Sequence, residues 1–216
     1  AAFLAGLVDA LVGGGGLIQL PALMLVPGIA PITALATNKL AGFAGTGSAA
    51  LAYGRRIGVD RRLAASTALL ALLGALAGAS LATRIPSSTF TPIVIAALVL
   101  VLVLTLTRPR LFTSLRRALP TRRLMRRALP ASSLIGLYDG LIGPGTGSFL
   151  LMAFVGAGRM PVLEATALSK LVNAATNLGA LLLFSGHGVL DWRLGLLMAG
   201  ANVAGAQTGA RWAMRV

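Results

Sequence analysis

The sequence predicts an all-α membrane protein, a polytopic helical bundle built from two homologous repeats. Hydrophobic residues make up 56% of the 216-residue chain and charged residues only 11%, less than half the share found in a typical soluble domain. The apolar residues fall into seven segments of roughly membrane-spanning length. Such a small number of charged side chains cannot cover the surface of a soluble fold of this size. The composition therefore excludes a water-soluble enzyme, a collagen-like chain and a disordered chain.

Each apolar segment is a candidate membrane helix, since about 20 apolar residues are needed to cross a bilayer. The segments are 2–26, 33–53, 64–83, 90–106, 131–155, 163–184 and 194–212. Glycine-rich runs interrupt the first segment at 13–16 and the fifth at 143–147. We expect the second half-helices to begin near Leu17 and Ser148, and the whole chain to form a single transmembrane domain.

The two halves of the chain resemble each other in sequence. Residues 6–13 match residues 136–143 at an offset of 130. From Asn38 onward the offset is 131, so Lys39 corresponds to Lys170. Internal repeats of this length are a common way to build transporters.

The repeats define how the chain is organised. Repeat one covers 1–107, a basic loop covers 108–130 and repeat two covers 131–216. Segment 90–106 has no counterpart in repeat two, so we expect an eighth helix to complete that repeat.

The arginines indicate which face of the membrane each loop occupies. The chain has a formal net charge of +14, and eight of its 17 arginines lie in 108–127. That run lacks the row of interleaved aromatic side chains that a base-stacking platform needs, so a nucleic-acid partner is not expected. We predict instead that the basic loop 108–130 is cytoplasmic and faces anionic lipids, as in a multi-pass protein of a bacterial inner membrane.

Two topologies are open for the glycine-broken segments. If every segment crosses once, the arginines divide 13 to 4 between the two faces. If the broken segments are re-entrant, the division is 15 to 2 and the two halves are inverted relative to each other. The positive-inside rule favours the re-entrant topology.

The glycine breaks predict a polar cavity at membrane depth. Unpaired backbone groups in lipid cost several kcal/mol each, so a broken helix must face protein or water. A helix N-terminus after a break carries partial positive charge and suits an anion. Close helix packing is the alternative, but two breaks at matched positions favour the cavity. The backbone candidates for its lining are Gly14, Gly15, Gly16, Gly145, Thr146 and Gly147.

Both lysines lie inside apolar segments at equivalent repeat positions, whereas every arginine lies in a loop or at a segment end. A lysine at membrane depth is costly and usually functional. We therefore predict that Lys39 and Lys170 face the interior between the repeats and contact the substrate. The alternative is that each lysine snorkels to an interface or neutralises an aspartate for structural reasons.

Asp9 and Asp139 each precede a glycine break by four residues. Pairing with the lysines would offset the desolvation of both charges. Pairs within a repeat, Asp9 with Lys39 and Asp139 with Lys170, and pairs between repeats are equally compatible with the sequence. Each aspartate either holds a lysine, relays protons or forms a static ion pair.

Other polar side chains are predicted to complete the site. Lys170, Asn173 and Asn177 follow the i, i+3, i+7 spacing of one helix face, and Thr46 is the repeat counterpart of Asn177. The further candidates are Gln19, Asn38, Thr46, Ser169, Asn173 and Asn177. Asn202 and Gln207 are expected to form hydrogen bonds between helices.

Five blocks of sequence resemble the TauE/SafE (sulfite exporter-like) family in its YfcA-like branch. These blocks are 5–16, 20–24, 34–40, 136–147, and 167–171 with Asn173 and Asn177. The resemblance covers most of the chain. It implies an inner-membrane permease of two four-segment repeats, associated with sulfite, organosulfonates, sulfoacetate or related small anions.

The resulting hypothesis is a secondary transporter for a small anion, plausibly sulfur-containing, with protons as a candidate coupling ion and the lipid bilayer as its surroundings. A channel is the second class, because the same polar residues could line a continuous pore; a membrane enzyme and a membrane scaffold follow. No enzyme activity, cofactor or metal is expected, since the chain has no cysteine, one histidine and no nucleophile–base set. The sequence leaves the substrate, the direction of transport and any homo-oligomer open.

Overall fold

A computed structural model describes residues 1–107 and 121–215. The described residues form helices joined by short turns and loops, and each predicted apolar segment contains a helix, which confirms the fold class. The helices are α1 (Ala2–Val12), α2 (Gly16–Met24), α3 (Pro31–Gly54), α4 (Arg61–Ala82), α5 (Ser87–Thr107), α6 (Thr121–Leu141), α7 (Thr146–Met152), which continues as a π-helical stretch (Ala153–Ala157), α8 (Val162–Gly186) and α9 (Trp192–Ala213). Among the described residues, α4, α5 and α8 are long and apolar enough to span a membrane.

Helix starts follow local sequence signals that recur in both halves. α4 and α9 begin after Asp60 and Asp191, whose carboxylates accept hydrogen bonds from the N–H groups of Leu63 (2.8 Å) and Leu194 (3.0 Å). Aspartate is a preferred residue at this position because it satisfies a backbone donor that the helix leaves unpaired. α3 begins at Pro31, where the missing N–H is not needed.

Both predicted helix breaks are confirmed. α1 ends at Gly13, whose φ is 82°, and the second break contains Gly143 and Gly145 with φ of 93° and 78°. Side chains with a Cβ avoid this left-handed conformation, which is why glycine recurs at both breaks. The second half-helices begin at Gly16 and Thr146, slightly earlier than Leu17 and Ser148.

The predicted basic loop is wrong in its second half. The chain is already helical from Thr121, whereas residues 108–120 lie outside the described residues. The helix begins early because Leu124 and Ala128, four residues apart, are buried in an apolar cluster that also contains Phe154, while the neighbouring arginines stay exposed. An amphipathic turn can therefore carry four arginines and still pack on the bundle.

Helices α3 and α8, which are repeat counterparts, run antiparallel. The start of α3 (Ala34, Leu35) shares a buried cluster with the end of α8, at Phe184. The end of α3, at Tyr53, shares another with the start of α8, at Ala167. Two helices that correspond in sequence therefore run in opposite directions, as inverted repeats require.

The second glycine-broken segment folds back on itself. Arg127, near the start of α6, donates a hydrogen bond of 3.0 Å from Nη1 to the carbonyl of Ala157, at the end of the π-helical stretch. The chain therefore enters along α6, turns at the glycine break and returns to the side from which it came. This arrangement is the re-entrant alternative.

The first broken segment folds back as well. α1 runs parallel to α9, since Gly205 lies against Phe3 and Gly209 against Leu7. α3 also runs parallel to α9: Leu40 lies beside Gly195, and Ser48 accepts a hydrogen bond from Gln207 further along. Because α1 and α3 have the same direction, α2 between them must run back. We call α1–α2 hairpin one and α6–α7 hairpin two.

The return of hairpin two predicts that Arg159 lies on the side of the membrane where α6 begins. The chain contains no cysteine, so single cysteines can be introduced without a background signal. A membrane-impermeant maleimide is expected to label Arg159→Cys from the same side as Gly58→Cys, and His187→Cys from the opposite side, in sealed vesicles. Labelling of Arg159→Cys from the side opposite to Gly58→Cys would contradict the return of hairpin two.

The contact between α1 and α9 predicts a difference between two glycines on α9. A Cβ at Gly205 would collide with the main chain of Phe3, whereas a Cβ at Gly200 would meet nothing within 4 Å. We expect Gly205→Ala to destabilise the protein by about 1–3 kcal/mol through overpacking. Gly200→Ala should be neutral or stabilising by up to about 1 kcal/mol through helix propensity. Thermal unfolding in detergent measures both, and equal effects would contradict the close contact.

Candidate functional site

The tips of the two hairpins meet in the interior of the bundle. Ser148, just after the break in hairpin two, donates from its N–H to the carbonyl of Gly13 (3.1 Å) and from its hydroxyl to the carbonyl of Val12 (2.9 Å). Both acceptors belong to the break in hairpin one. These hydrogen bonds satisfy backbone polar groups that the helix breaks leave unpaired. Such groups need partners within the protein or water when a helix is interrupted inside a membrane.

A polar cavity of about 40 Å³ lies beside this junction. That is room for roughly three water molecules, or for a small ion with part of its hydration. The cavity is lined by Asp9, Gly13, Gly15, Gly16, Gln19, Asn38, Lys39, Gly42, Thr46, Asp139, Gly143, Gly145, Thr146, Gly147, Asn173, Asn177 and Asn202. Both hairpins and helices α3, α8 and α9 contribute, so each half supplies part of the wall.

Lys39 forms an ion pair with Asp139 of the other repeat. The Nζ–Oδ1 distance is 2.8 Å, and the side chains are 1% and 2% exposed. The hydroxyl of Thr146 lies 2.5 Å from the same carboxylate oxygen, which fixes the carboxylate against hairpin two. Both members of this pair line the cavity.

Lys170 pairs with Asp9, again between repeats, but in a different way. Its Nζ lies 3.4 Å from Asp9 Oδ2 and also donates to the main-chain carbonyl of Asp9. The other carboxylate oxygen accepts from the N–H of Gly15 at 3.4 Å. Lys170 is buried and binds the end of α1 rather than lining the cavity. The sequence left open whether the ion pairs form within a repeat or between repeats. In the structure both pairs form between repeats.

Polar side chains of α3 and α8 meet where the two helices cross. Asn177 donates from Nδ2 to the carbonyl of Asn173 (2.8 Å) and lies 3.4 Å from the hydroxyl of Thr46. The three side chains are almost fully buried. They form a hydrogen-bonded wall that joins the two repeats.

Thirteen of the predicted side chains and glycines line the cavity, and three do not. Lys170 lies behind Asp9, Gly14 packs against Leu17, and Ser169 bonds the carbonyl of its own helix at Thr166 (2.8 Å). Ser169 was a candidate because it is adjacent to Lys170, but neighbouring residues of a helix point in different directions, so adjacency did not place it in the site.

Four lining residues were not predicted: Gly13, Gly42, Gly143 and Asn202. Asn202 does form the expected hydrogen bond between helices, donating to Gln19 Oε1 at 2.6 Å, and it lines the cavity as well. Gln207 also bonds across helices, to the carbonyl of Ser48 at 2.9 Å. The sequence feature that could have indicated the role of Asn202 is its position three residues before Gly205, which places it on the packing face of α9.

Two buried polar atoms in the cavity wall have no hydrogen-bond partner among the described residues. They are Gln19 Nε2, a donor, and Asp139 Oδ2, an acceptor. Such atoms are costly unless a ligand or water satisfies them. The described residues contain no cluster of three or more His, Cys, Asp or Glu side chains that could hold a metal ion. The lining residues of the cavity offer charged, amide and hydroxyl groups for binding.

The sequence was compared with known families and proteins. Residues 1–216 match the family described as "Sulfite exporter TauE/SafE". "Probable membrane transporter protein ORF9" of a Sinorhizobium species is 41% identical over 214 residues, covering 99% of this chain and 81% of that protein. "Probable membrane transporter protein YfcA" of Escherichia coli K12 is 36% identical over 212 residues, covering 97% and 77%. A "Probable membrane transporter protein" of Haemophilus influenzae is 34% identical over 215 residues, covering 98% and 82%.

No solved structure matches the chain. The match across the full length and the high coverage of these relatives confirm the resemblance drawn from the sequence blocks. A polar cavity between largely apolar helices suits the same class of protein. The chain belongs to the TauE/SafE family of membrane transporters.

Proposed function

We propose that this transporter carries a small oxyanion of the sulfite or organosulfonate kind across the inner membrane by a proton-coupled mechanism. The observation that carries the proposal is the buried Lys39–Asp139 pair in the wall of the polar cavity. The family description names sulfite export, which makes sulfite the first substrate to test.

The anion would bind beside Lys39. Its ammonium group is the cationic group that the cavity presents among the described residues. Asn38, Asn173 and Thr46 offer further polar contacts in the same wall. Gly16 begins α2 at the cavity, and the positive end of a helix dipole favours an anion there.

Proton coupling follows from charge balance in the cavity. The two lysines and two aspartates are paired one to one, so their charges cancel. An anion entering alone would leave a net negative charge in a medium of low dielectric, which is strongly unfavourable. If Asp139 takes up a proton, Lys39 is released to bind the anion and the balance is restored. One proton would then accompany each monovalent anion.

Alternating access would arise from the inverted halves. The two hairpins reach the cavity from opposite faces and touch there through Ser148 and Gly13. Rocking of one half against the other would open the cavity first to one face and then to the other, as in other transporters with inverted repeats. Lys170 would hold hairpin one during this motion through its bond to Asp9.

The face carrying the exposed arginines is assigned to the cytoplasm. With re-entrant hairpins, 15 of the 17 arginines belong to the side of Gly58 and Arg159. The positive-inside rule places that side in the cytoplasm. Arg122, Arg123, Arg126 and Arg127 belong to it because they lie in the first turns of α6.

The proposal is tested by uptake of radiolabelled sulfite into proteoliposomes with and without a proton gradient. Uptake is expected to saturate with sulfite and to increase when the gradient is applied. Flux that rises linearly with sulfite and ignores the gradient would identify a channel instead. Absence of uptake of sulfite, methanesulfonate and sulfoacetate would contradict the proposed substrate class.

Loss of either lysine is predicted to suppress transport. We expect Lys39→Gln to lower sulfite uptake by at least about tenfold, because a charge-assisted contact with the anion is removed. Lys170→Gln should also reduce uptake and, in addition, lower the unfolding temperature, because hairpin one loses its bond to α8. Uptake assays and thermal unfolding measure the two effects.

The double variant Lys39→Gln/Asp139→Asn is the control for folding. It removes both charges, so no unpaired ion is left buried. We expect it to fold like the wild type and to remain inactive. Wild-type uptake by this variant, or by both single lysine variants over a range of pH, would show that the lysines are structural.

Replacing Asp139 is predicted to remove the dependence on protons. Asp139→Asn keeps the shape of the side chain but cannot exchange a proton, so sulfite binding should persist while uptake no longer responds to the pH gradient. Asp60→Asn is the matched control, because Asp60 is an exposed cap of α4 and asparagine caps equally well. Gradient-driven accumulation by Asp139→Asn equal to that of Asp60→Asn would contradict the assignment.

A further inference from the structure

Gln19 and Asn202 form a buried amide pair in the cavity wall that joins hairpin one to α9. Asn202 Nδ2 donates to Gln19 Oε1 at 2.6 Å. The residues are 1% and 5% exposed, and both line the cavity. Gln19 belongs to repeat one and Asn202 to repeat two, so the pair links the two repeats as the ion pairs do.

This amide pair departs from the symmetry of the repeats. The lysines and aspartates occur once in each half, but the counterpart of Asn202 is Ala71 and the counterpart of Gln19 is Phe149. Ala71 lies instead in an apolar cluster with Leu150. The amide pair therefore lies in one wall of the cavity and has no counterpart at the equivalent positions of the other half. There the helices pack through apolar side chains.

Asn202 is closely packed against two glycines of repeat one. A Cβ at Gly45 would collide with the side chain of Asn202, and a Cβ at Gly6 would collide with its main-chain carbonyl. Asn202 is held in this slot and binds the oxygen of the Gln19 amide. The nitrogen of that amide, Nε2, is then left buried in the cavity wall without a partner among the described residues.

A buried amide donor is stabilised only when an acceptor reaches it. The cavity is the space into which an acceptor can enter, and Lys39 lines the same space. We propose that Gln19 Nε2 donates a hydrogen bond to an oxygen of the transported anion, which makes Gln19 a substrate-binding residue. This inference rests on the proposed function and adds that the substrate is an anion with several acceptor oxygens, one for Lys39 and one for Gln19.

The test is the affinity of purified protein for methanesulfonate and for sulfite, measured by ligand-induced thermal stabilisation. Gln19→Met retains most of the side-chain volume but has no donor. Gln207→Met is the matched control, because Gln207 bonds to Ser48 across helices but does not line the cavity. We expect Gln19→Met to weaken the binding of both anions by about tenfold or more, and Gln207→Met to leave the binding within about twofold of the wild type.

Gln19→Glu separates a binding role from a structural one. The introduced side chain can still accept the bond from Asn202, so the fold is preserved. As a carboxylate it repels the anion, whereas as a carboxylic acid it can donate again. Its affinity for methanesulfonate, relative to the wild type at the same pH, is therefore expected to recover as the pH falls. A structural defect would not produce this recovery.

Failure of this inference is distinguishable from failure of the proposed function. Methanesulfonate binding by Gln19→Met within about twofold of the wild type, with the wild type clearly stabilised, overturns the role of Gln19 alone. If neither methanesulfonate nor sulfite stabilises the wild type, the proposal of oxyanion transport is overturned, and the role of Gln19 with it.

Discussion

The structure depends on the need to neutralise two lysines buried in the interior of the helical bundle. A lysine at the centre of a membrane helix is unfavourable by roughly 2.5–3.5 kcal/mol on insertion scales, and both lysines here are 1% exposed. Each is satisfied by an aspartate that precedes a glycine break in the other repeat. The two ion pairs therefore fix helices α3 and α8 against the opposite hairpins, and neither half can bury its charges without the other.

The hairpins make this pairing possible. Glycines in the left-handed conformation stop α1 at Gly13 and turn the chain after α6, which brings both tips into the interior. There the backbone of one tip bonds to the other through Ser148. Glycines of both breaks, among them Gly15 and Gly145, also line the cavity, so the polar site and the interrupted helices are one feature.

The two ion pairs share a chemistry but differ in surroundings. Lys39 and Asp139 both border the cavity, and one oxygen of Asp139 has no partner among the described residues. Lys170 instead bonds the carbonyl and carboxylate of Asp9 and stands behind the wall. Residues at equivalent repeat positions therefore form two different pairs. Lys39–Asp139 borders the cavity, whereas Lys170–Asp9 holds hairpin one. The single amide pair of Gln19 and Asn202 makes the cavity asymmetric as well.

The sequence by itself determined the helical membrane fold, the positions of both breaks, the TauE/SafE resemblance and most of the cavity lining. These features follow from hydropathy, glycine and charge placement, which act over a few residues along one helix. Only the tertiary structure decided between re-entrant and spanning hairpins, paired each lysine with the aspartate of the other repeat, and removed Lys170 from the cavity wall. It also brought Asn202 to Gln19. Such contacts depend on which faces of distant helices meet, and a local pattern does not specify that packing.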